Sequence, residues 1–215
     1  MKARVISSPL AAEYDRQYYA WLTRQGPQAL DRDWRLSNLL WRQKIIIRRY
    51  PPAGKQVLDY GCMDGIFTVR LQQLGGRAWG YDIAPAAVAQ AERFRGSAIE
   101  PTFTTVLPDS RFDIVYCNEV LEHVENDSAF VGELTRRVAP GGMLVGTTPV
   151  GRSFWDPDHK RFYREDSLRQ ALTPWGEVRI QRYYRTWWRN LLPFAQNGAA
   201  VYLFEVRPPS LPDAH

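Results

Sequence analysis

The strongest constraint in this chain is a short apolar run that breaks into a glycine turn. Gln56-Val57-Leu58-Asp59-Tyr60 is followed by Gly61-Cys62-Met63-Asp64-Gly65. Gly61 and Gly65 allow a tight turn and close approach of backbone, and Ile66 to Leu74 then carries a helical pattern. The alternation goes on from there. Ala78 to Asp82 reads as a strand, Ala84 to Arg93 as a helix and Pro101 to Val106 as a weaker strand. Phe112 to Cys117 reads as a strong strand, Ser128 to Val138 as a helix and Gly142 to Pro149 as a strand. Strands alternating with helices at this spacing predict a parallel sheet covered on both faces. Val178 to Tyr184 and Ala200 to Val206 break the rhythm, and they are expected to pair antiparallel at the sheet edge. Ahead of the sheet, a helix over 10–24 should stop at Gly26-Pro27, and another over Asp33 to Tyr50 at Pro51-Pro52.

The bulk properties agree with one domain of this kind. The chain has 215 residues, 45% of them hydrophobic and 24% charged, which provides for a full core and argues against disorder. No apolar run reaches the length of a membrane span. Met1 to Ser8 lacks the apolar centre of a secretory signal, so a cytoplasmic location is expected. Cys62 and Cys117 fall at strand ends and read as small buried residues, not as a disulfide. The net charge of +5 permits an anionic partner. Its arginines are scattered, however, so nucleic acid is not expected. The eight tryptophans lie before residue 42 and after residue 154, apart from Trp79. That split suggests aromatic segments flanking a standard core.

On open α/β sheets, ligands sit at the carboxyl ends of the strands. The turn from Asp59 to Gly65 lies there, and the helix that follows offers free N–H groups. The second strand ends in Asp82, about 20 residues on, where an acid can hold both hydroxyls of a ribose. Asn118-Glu119-Val120-Leu121-Glu122-His123 follows the fourth strand. On a helical turn Glu119, Glu122 and His123 would share a face. Asp156-Pro157-Asp158-His159 leaves the same edge after the fifth strand, so two of the three histidines in the chain meet there. Two carboxylates and two imidazoles suit Mg²⁺, Mn²⁺ or Zn²⁺. Without an ion, His123 or His159 is the natural general base.

Taken together, Val57-Leu58-Asp59-Tyr60-Gly61-Cys62, Gly80-Tyr81-Asp82-Ile83, Phe112 to His123 and Pro140-Gly141-Gly142-Met143-Leu144 resemble the class I S-adenosylmethionine (SAM) dependent methyltransferases. The resemblance implies a Rossmann-like, seven-stranded, mostly parallel sheet whose last strand is antiparallel. It implies Asp59 and Gly61 near the methionine part of SAM, Asp82 on the ribose and Ile83 against adenine. Cys62, Gly65, Thr105 and Asn118 complete the expected contacts, and Tyr14, Tyr18 and Tyr19 would close over the cofactor from the first helix. Arg42 could meet the SAM carboxylate or be a solvated helix charge. Two departures stand out: Met63 replaces a usual glycine, and Thr104-Thr105-Val106 lacks the acid often found near the adenine amine.

The E-x-x-E-H … H set is similar to that of ubiquinone-biosynthesis O-methyltransferases and of small-RNA terminal 2′-O-methyltransferases. It implies Glu119, Glu122, His123 and His159 as metal ligands, with Glu119, His123 and His159 as candidate catalytic groups. The expected organisation is a helical segment, 1–50, over the cofactor; a SAM-binding domain, 51–207, with acceptor-site insertions at 150–165 and 184–199; and a loose tail, 208–215. The expected activity is O-methylation of a small-molecule or glycan hydroxyl, releasing S-adenosylhomocysteine (SAH). RNA 2′-O-methylation and non-enzymatic SAM binding are the alternatives. The run from Tyr183 to Asn190 could wall the acceptor pocket.

Overall fold

The computed structural model describes residues 9–96, 101–154, 156–185 and 199–209. Seven strands form one sheet: β1 (Gln56–Tyr60), β2 (Arg77–Tyr81), β3 (Thr102–Thr104), β4 (Phe112–Asn118), β5 (Val138–Pro149), β6 (Glu177–Tyr184) and β7 (Ala200–Arg207). Their order is β3-β2-β1-β4-β5-β7-β6. β7 runs antiparallel to both neighbours, and the other pairings are parallel. This is the Rossmann-like arrangement expected. The strand order reverses between β1 and β4, which puts the glycine turn at the switch point where such sheets bind ligands.

Both faces of the sheet are buried, which is why its central strands read as unbroken apolar runs. Successive residues alternate between two cores. Leu58, Val115 and Cys117 pack toward α6 (Asp127–Thr135) and α7 (Glu165–Leu172), where Leu134, Leu168 and Leu172 meet them. Val57, Ile114 and Tyr116 pack the other way, on Ile46 of α3 (Trp41–Arg49) and on Phe67 and Leu71 of α4 (Ile66–Gln73). Both cysteines are free and buried.

The structure departs from the sequence reading in four elements. The helix expected over Asp33 to Tyr50 is two, α2 (Arg32–Ser37) and α3. Asn38 makes the break: its side-chain amide donates to the Trp34 carbonyl at 2.8 Å, so that carbonyl closes the turn. The Leu40 N–H then donates to Gln43 Oε1 at 3.0 Å and starts a new helix. Val138 belongs to β5, not to the preceding helix, and Gly141-Gly142 lie within the strand. There the register against β4 jumps between Phe112↔Val138 and Ile114↔Met143, and Gly141, at φ 76°, supplies the left-handed residue. The third strand is only three residues long. α7, over Glu165–Leu172, was not foreseen.

α1 (Pro9–Gln25) lies across the start of α5 (Pro85–Arg95). Ala84 at the α5 N-cap has no side-chain acceptor. Asp15 of α1 fills that place, accepting the Ala86 N–H at 2.8 Å. Among the described residues, no helix is long and apolar enough to cross a membrane.

Gly65 was expected at the cofactor, but its conformation serves packing. A Cβ there would lie 2.6 Å from Ala91 Cβ and from the Phe103 ring, and φ is 75°. Gly65→Ala is therefore expected to destabilise the fold by about 2–5 kcal/mol, read as a lowered denaturant midpoint.

Candidate active site

The turn after β1 is built by backbone bonds. The N–H groups of Gly61 and Cys62 both donate to the Tyr81 carbonyl, at 2.8 and 2.9 Å, and Gly65 N–H donates to Cys62 O at 2.9 Å. Asp82 braces the turn from β2. Its Oδ2 accepts the Met63 N–H at 2.8 Å and its Oδ1 the Ala84 N–H at 2.9 Å. Burial raises the Asp82 pKa, and these two N–H groups pull it back. At Gly61 (φ 74°) a Cβ would lie 2.5 Å from Val120 Cγ2. Only glycine leaves that corner open.

Met63 also takes a left-handed conformation, φ 52°, which a glycine would adopt without strain. Its side chain packs with Tyr14, Tyr18 and Trp21 of α1. It lines both cavities around the turn.

The first cavity has a volume of 420 Å³. Tyr14, Tyr18 and Trp21 roof it, Asp82, Ile83 and Ala84 form its base, and Tyr60, Tyr81 and Phe130 line it further. The second, of 330 Å³, reaches Asp59, Cys62, Asp64 and Asn118 on one side and Arg35 and Arg42 on the other. Gly61 and Glu119 border both. Volumes of this size suit a nucleoside and its amino-acid arm.

Tyr19 and Thr105 stand apart from the two cavities. Tyr19 is 58% exposed on the outer face of α1, because its neighbour Tyr18 takes the inward position. Thr105 follows the short β3 and lines neither cavity. The sequence reading missed Trp21, Asp64 and Arg35. Asp64 is buried and pairs with Arg35 at 2.7 Å. The Arg35 guanidinium also lies 5.0 Å from the centre of the Trp21 ring, which ties α2 to the lid. Arg42 is no solvated helix charge: it pairs with Glu119 at 3.2 Å, and both side chains are only 18% exposed.

Asp59 is fully enclosed. It accepts the Thr68 hydroxyl at 2.6 Å, yet burial pushes its pKa up to about 7. The folded state thus holds this proton more tightly than the unfolded chain does. Between about pH 4 and pH 7 the group's contribution to stability falls, and the penalty is full above that window. It amounts to about 4 kcal/mol at most, at 1.36 kcal/mol per pKa unit. Asp59→Asn keeps an acceptor for Thr68 and removes the titration. The variant is expected to gain stability over the parent at pH 8 and little at pH 4, measured by denaturant unfolding at the two pH values.

The carboxylate–imidazole group forms in part as expected. Donor atoms of Glu122, His123 and His159 lie within 4.8 Å of one another. The His rings meet edge to face at 4.8 Å between centroids. Glu122 is buried; one oxygen accepts the Thr148 hydroxyl at 3.0 Å, and Oε1 has no partner. Burial and then the nearby Glu119 carboxylate raise its pKa well above the ordinary range. His123 Nδ1 lies 3.3 Å from the Asp158 carbonyl oxygen. A carbonyl can only accept, so Nδ1 carries the proton and Nε2 keeps its lone pair. Burial lowers the pKa of both histidines, which favours the neutral form.

Glu119 stands outside this group, contrary to the helical-face reading. Its N–H donates to the Thr147 carbonyl at 2.8 Å, so the β4–β5 ladder runs on through it. Its φ is 54°, and the helical turn covers only Leu121–His123. The stretch from Thr186 to Asn190, proposed as an acceptor wall, lies outside the described residues.

A methyltransferase domain model matches residues 36–192. The ubiquinone biosynthesis O-methyltransferase of Methylobacterium sp. (strain 4-46) is 30% identical over 209 residues, covering 80% of this chain and 83% of that protein. Its counterpart in Pseudomonas fluorescens (strain SBW25) is 37% identical over 116 residues, half of each chain. The chain thus spans about half the length of several curated relatives it matches. Among solved structures, magnesium protoporphyrin IX methyltransferase from Synechocystis PCC 6803 with bound SAH superimposes with a TM-score of 0.62 at 17% identity, over 91% of this chain and 94% of that one. Phosphoethanolamine N-methyltransferase 2 of Haemonchus contortus, in complex with SAM, gives 0.60 at 17% identity, over 78% and 53%. By its fold and the family model, the chain is a Rossmann-like methyltransferase domain. It belongs to the class I SAM-dependent methyltransferases.

Proposed function

We propose that the chain transfers a methyl group from SAM to a hydroxyl oxygen of a small molecule or glycan, with a divalent cation at Glu122, His123 and His159. The observation that carries this reading is that cluster, since His123 borders the first cavity. Glu122 Oε1 is a buried acceptor with no partner, and His123 presents Nε2 while Nδ1 faces a carbonyl. A histidine so oriented by its other nitrogen is the usual metal-ligand arrangement. Two imidazoles and one carboxylate leave further positions for acceptor oxygens or water and fit Mg²⁺, Mn²⁺ or Zn²⁺.

When bound, SAM supplies an electrophilic methyl on sulfur, and the cation lowers the acceptor hydroxyl's pKa. The chain's residues do the rest. Asp82 offers carboxylate oxygens to the ribose, and Ile83 packs against the base. Asp59 and Arg42 line the second cavity and would hold the methionine ammonium and carboxylate there. Tyr14, Tyr18 and Trp21 exclude water from above. Holding the acceptor in line can supply up to roughly 7–11 kcal/mol in the best intramolecular cases. With the cation bound, the imidazole lone pairs of His123 and His159 are engaged and the acceptor proton would leave to water; without it, His123, which borders the first cavity, can take that proton. The name shared by the ubiquinone biosynthesis relatives supports oxygen as the acceptor atom.

The test is transfer from isotopically labelled SAM to a panel of catechols, other vicinal diols, oligosaccharides and short RNA, followed by mass spectrometry. A gain of one methyl on a small hydroxyl compound is expected. Transfer to RNA alone would overturn the acceptor class, and no transfer to any member of the panel would favour a SAM-binding protein.

A further inference from the structure

His159 sits on a segment, 156–163, that contains no helix and only one isolated bridge, Val150↔Tyr163. A loop of this kind does not by itself hold an imidazole in register with residues on another loop. Several side chains cross the gap, Lys160 to Glu125 at 3.5 Å among them, and Arg161 makes the most contacts. Arg161 Nη2 donates to the carbonyls of Val124, at 2.9 Å, and Glu125, at 2.5 Å. Its Nη1 pairs with Asp127 Oδ2 at 2.5 Å. Tyr163 donates its hydroxyl to that same Asp127 oxygen at 2.9 Å. Two backbone contacts complete the seam: Lys160 N–H donates to Glu122 O at 2.8 Å, and the Asp158 carbonyl faces His123 Nδ1. The guanidinium thus fastens the loop carrying His159 to the loop carrying Glu122 and His123, through three acceptors on residues 124–127.

We infer that Arg161 is a positioning residue whose fork, anchored by Asp127 and Tyr163, sets the spacing of Glu122, His123 and His159 for a divalent cation. The inference rests on the metal reading above. Arg161 does not itself reach the donor atoms; it acts through the two loops. Lysine keeps the charge but cannot satisfy three acceptors in a fork, so Arg161→Lys breaks the staple without removing a cation. Tyr163→Phe leaves the arginine and the core packing of the ring, and loosens Asp127 together with the longer contact of the hydroxyl to the Leu121 carbonyl, at 3.4 Å.

The experiment is titration of the purified chain with Mn²⁺, followed by the electron paramagnetic resonance signal of the free ion, beside calorimetric titration with SAH. Arg161→Lys is expected to weaken Mn²⁺ binding about 10–100-fold, as for other groups that orient metal ligands. Tyr163→Phe should weaken it several-fold. SAH affinity should stay within about twofold of the parent in both. Unchanged Mn²⁺ affinity in both variants overturns the inference and leaves the metal reading standing. A parallel loss of SAH binding in both also overturns it, because the staple would then support the fold at large. A parent chain that takes up no Mn²⁺ overturns the metal reading and this inference together.

Discussion

Asp82→Ala is expected to leave no SAH binding measurable by calorimetry at concentrations that saturate the parent. The carboxylate has two tasks at one point. It braces the glycine turn through the N–H groups of Met63 and Ala84, and it lines the first cavity just after β2, where it is proposed to hold the ribose. Each hydrogen bond to a charged acceptor contributes about 1.5–3 kcal/mol, so loss of two ribose contacts alone costs roughly 10²–10⁴ in affinity. Slackening of the turn adds to that. The unliganded variant should still fold. Removing a carboxylate whose ionised form burial disfavours offsets part of the cost of two unpaired N–H groups, about 1–3 kcal/mol each. Binding loss beside a cooperative unfolding transition therefore reports on the site. Unaltered SAH affinity would sink the assignment of Asp82 to the ribose.

The glycine turn and the acid after β2 were legible in the sequence because backbone geometry dictates their residues. The turn needs a left-handed residue at Gly61 with no Cβ beside Val120, and the strand tip needs an acid whose oxygens meet N–H groups. Such demands leave few residue choices and so show as a motif. Other features depend on contacts between distant segments. Nothing local to Asn38 says that its amide will take the Trp34 carbonyl and split a helix. Tyr18 and Tyr19 are equivalent by type, and the α1–α5 contact through Asp15 and Ala86 decides which faces inward. The spacing of Glu119, Glu122 and His123 fits a helical face, but the Glu119 N–H is already committed to β5 through Thr147. That commitment follows from sheet register, which periodicity does not reveal. Nothing local to Arg42 distinguishes it from a solvated helix charge; its partner Glu119 lies 77 positions away in the chain. Glu119 belongs with Arg42 at the junction of the cavities, and Glu122, His123 and His159 form a triad without it.

That separation gives the second large effect a clear form. Chelator should stop turnover of the parent, and added Mn²⁺ or Mg²⁺ should restore it. Glu122→Gln is nearly isosteric and keeps an acceptor for the Thr148 hydroxyl, so the fold should hold. It removes the one negative charge in the triad, and turnover is expected to fall by about 10² or more, the scale of a lost ion or misplaced proton acceptor. SAH affinity should remain near that of the parent, because Glu122 borders neither cavity. Glu119→Gln is the contrasting case. Breaking the pair with Arg42 should perturb cofactor binding more than Mn²⁺ uptake, since Glu119 lines both cavities and lies outside the triad. If Glu122→Gln turns over like the parent in excess chelator, the triad holds no ion needed for the reaction. His123 and His159 would then act on the acceptor as bases alone, with Glu122 a buried, protonated partner of Thr148.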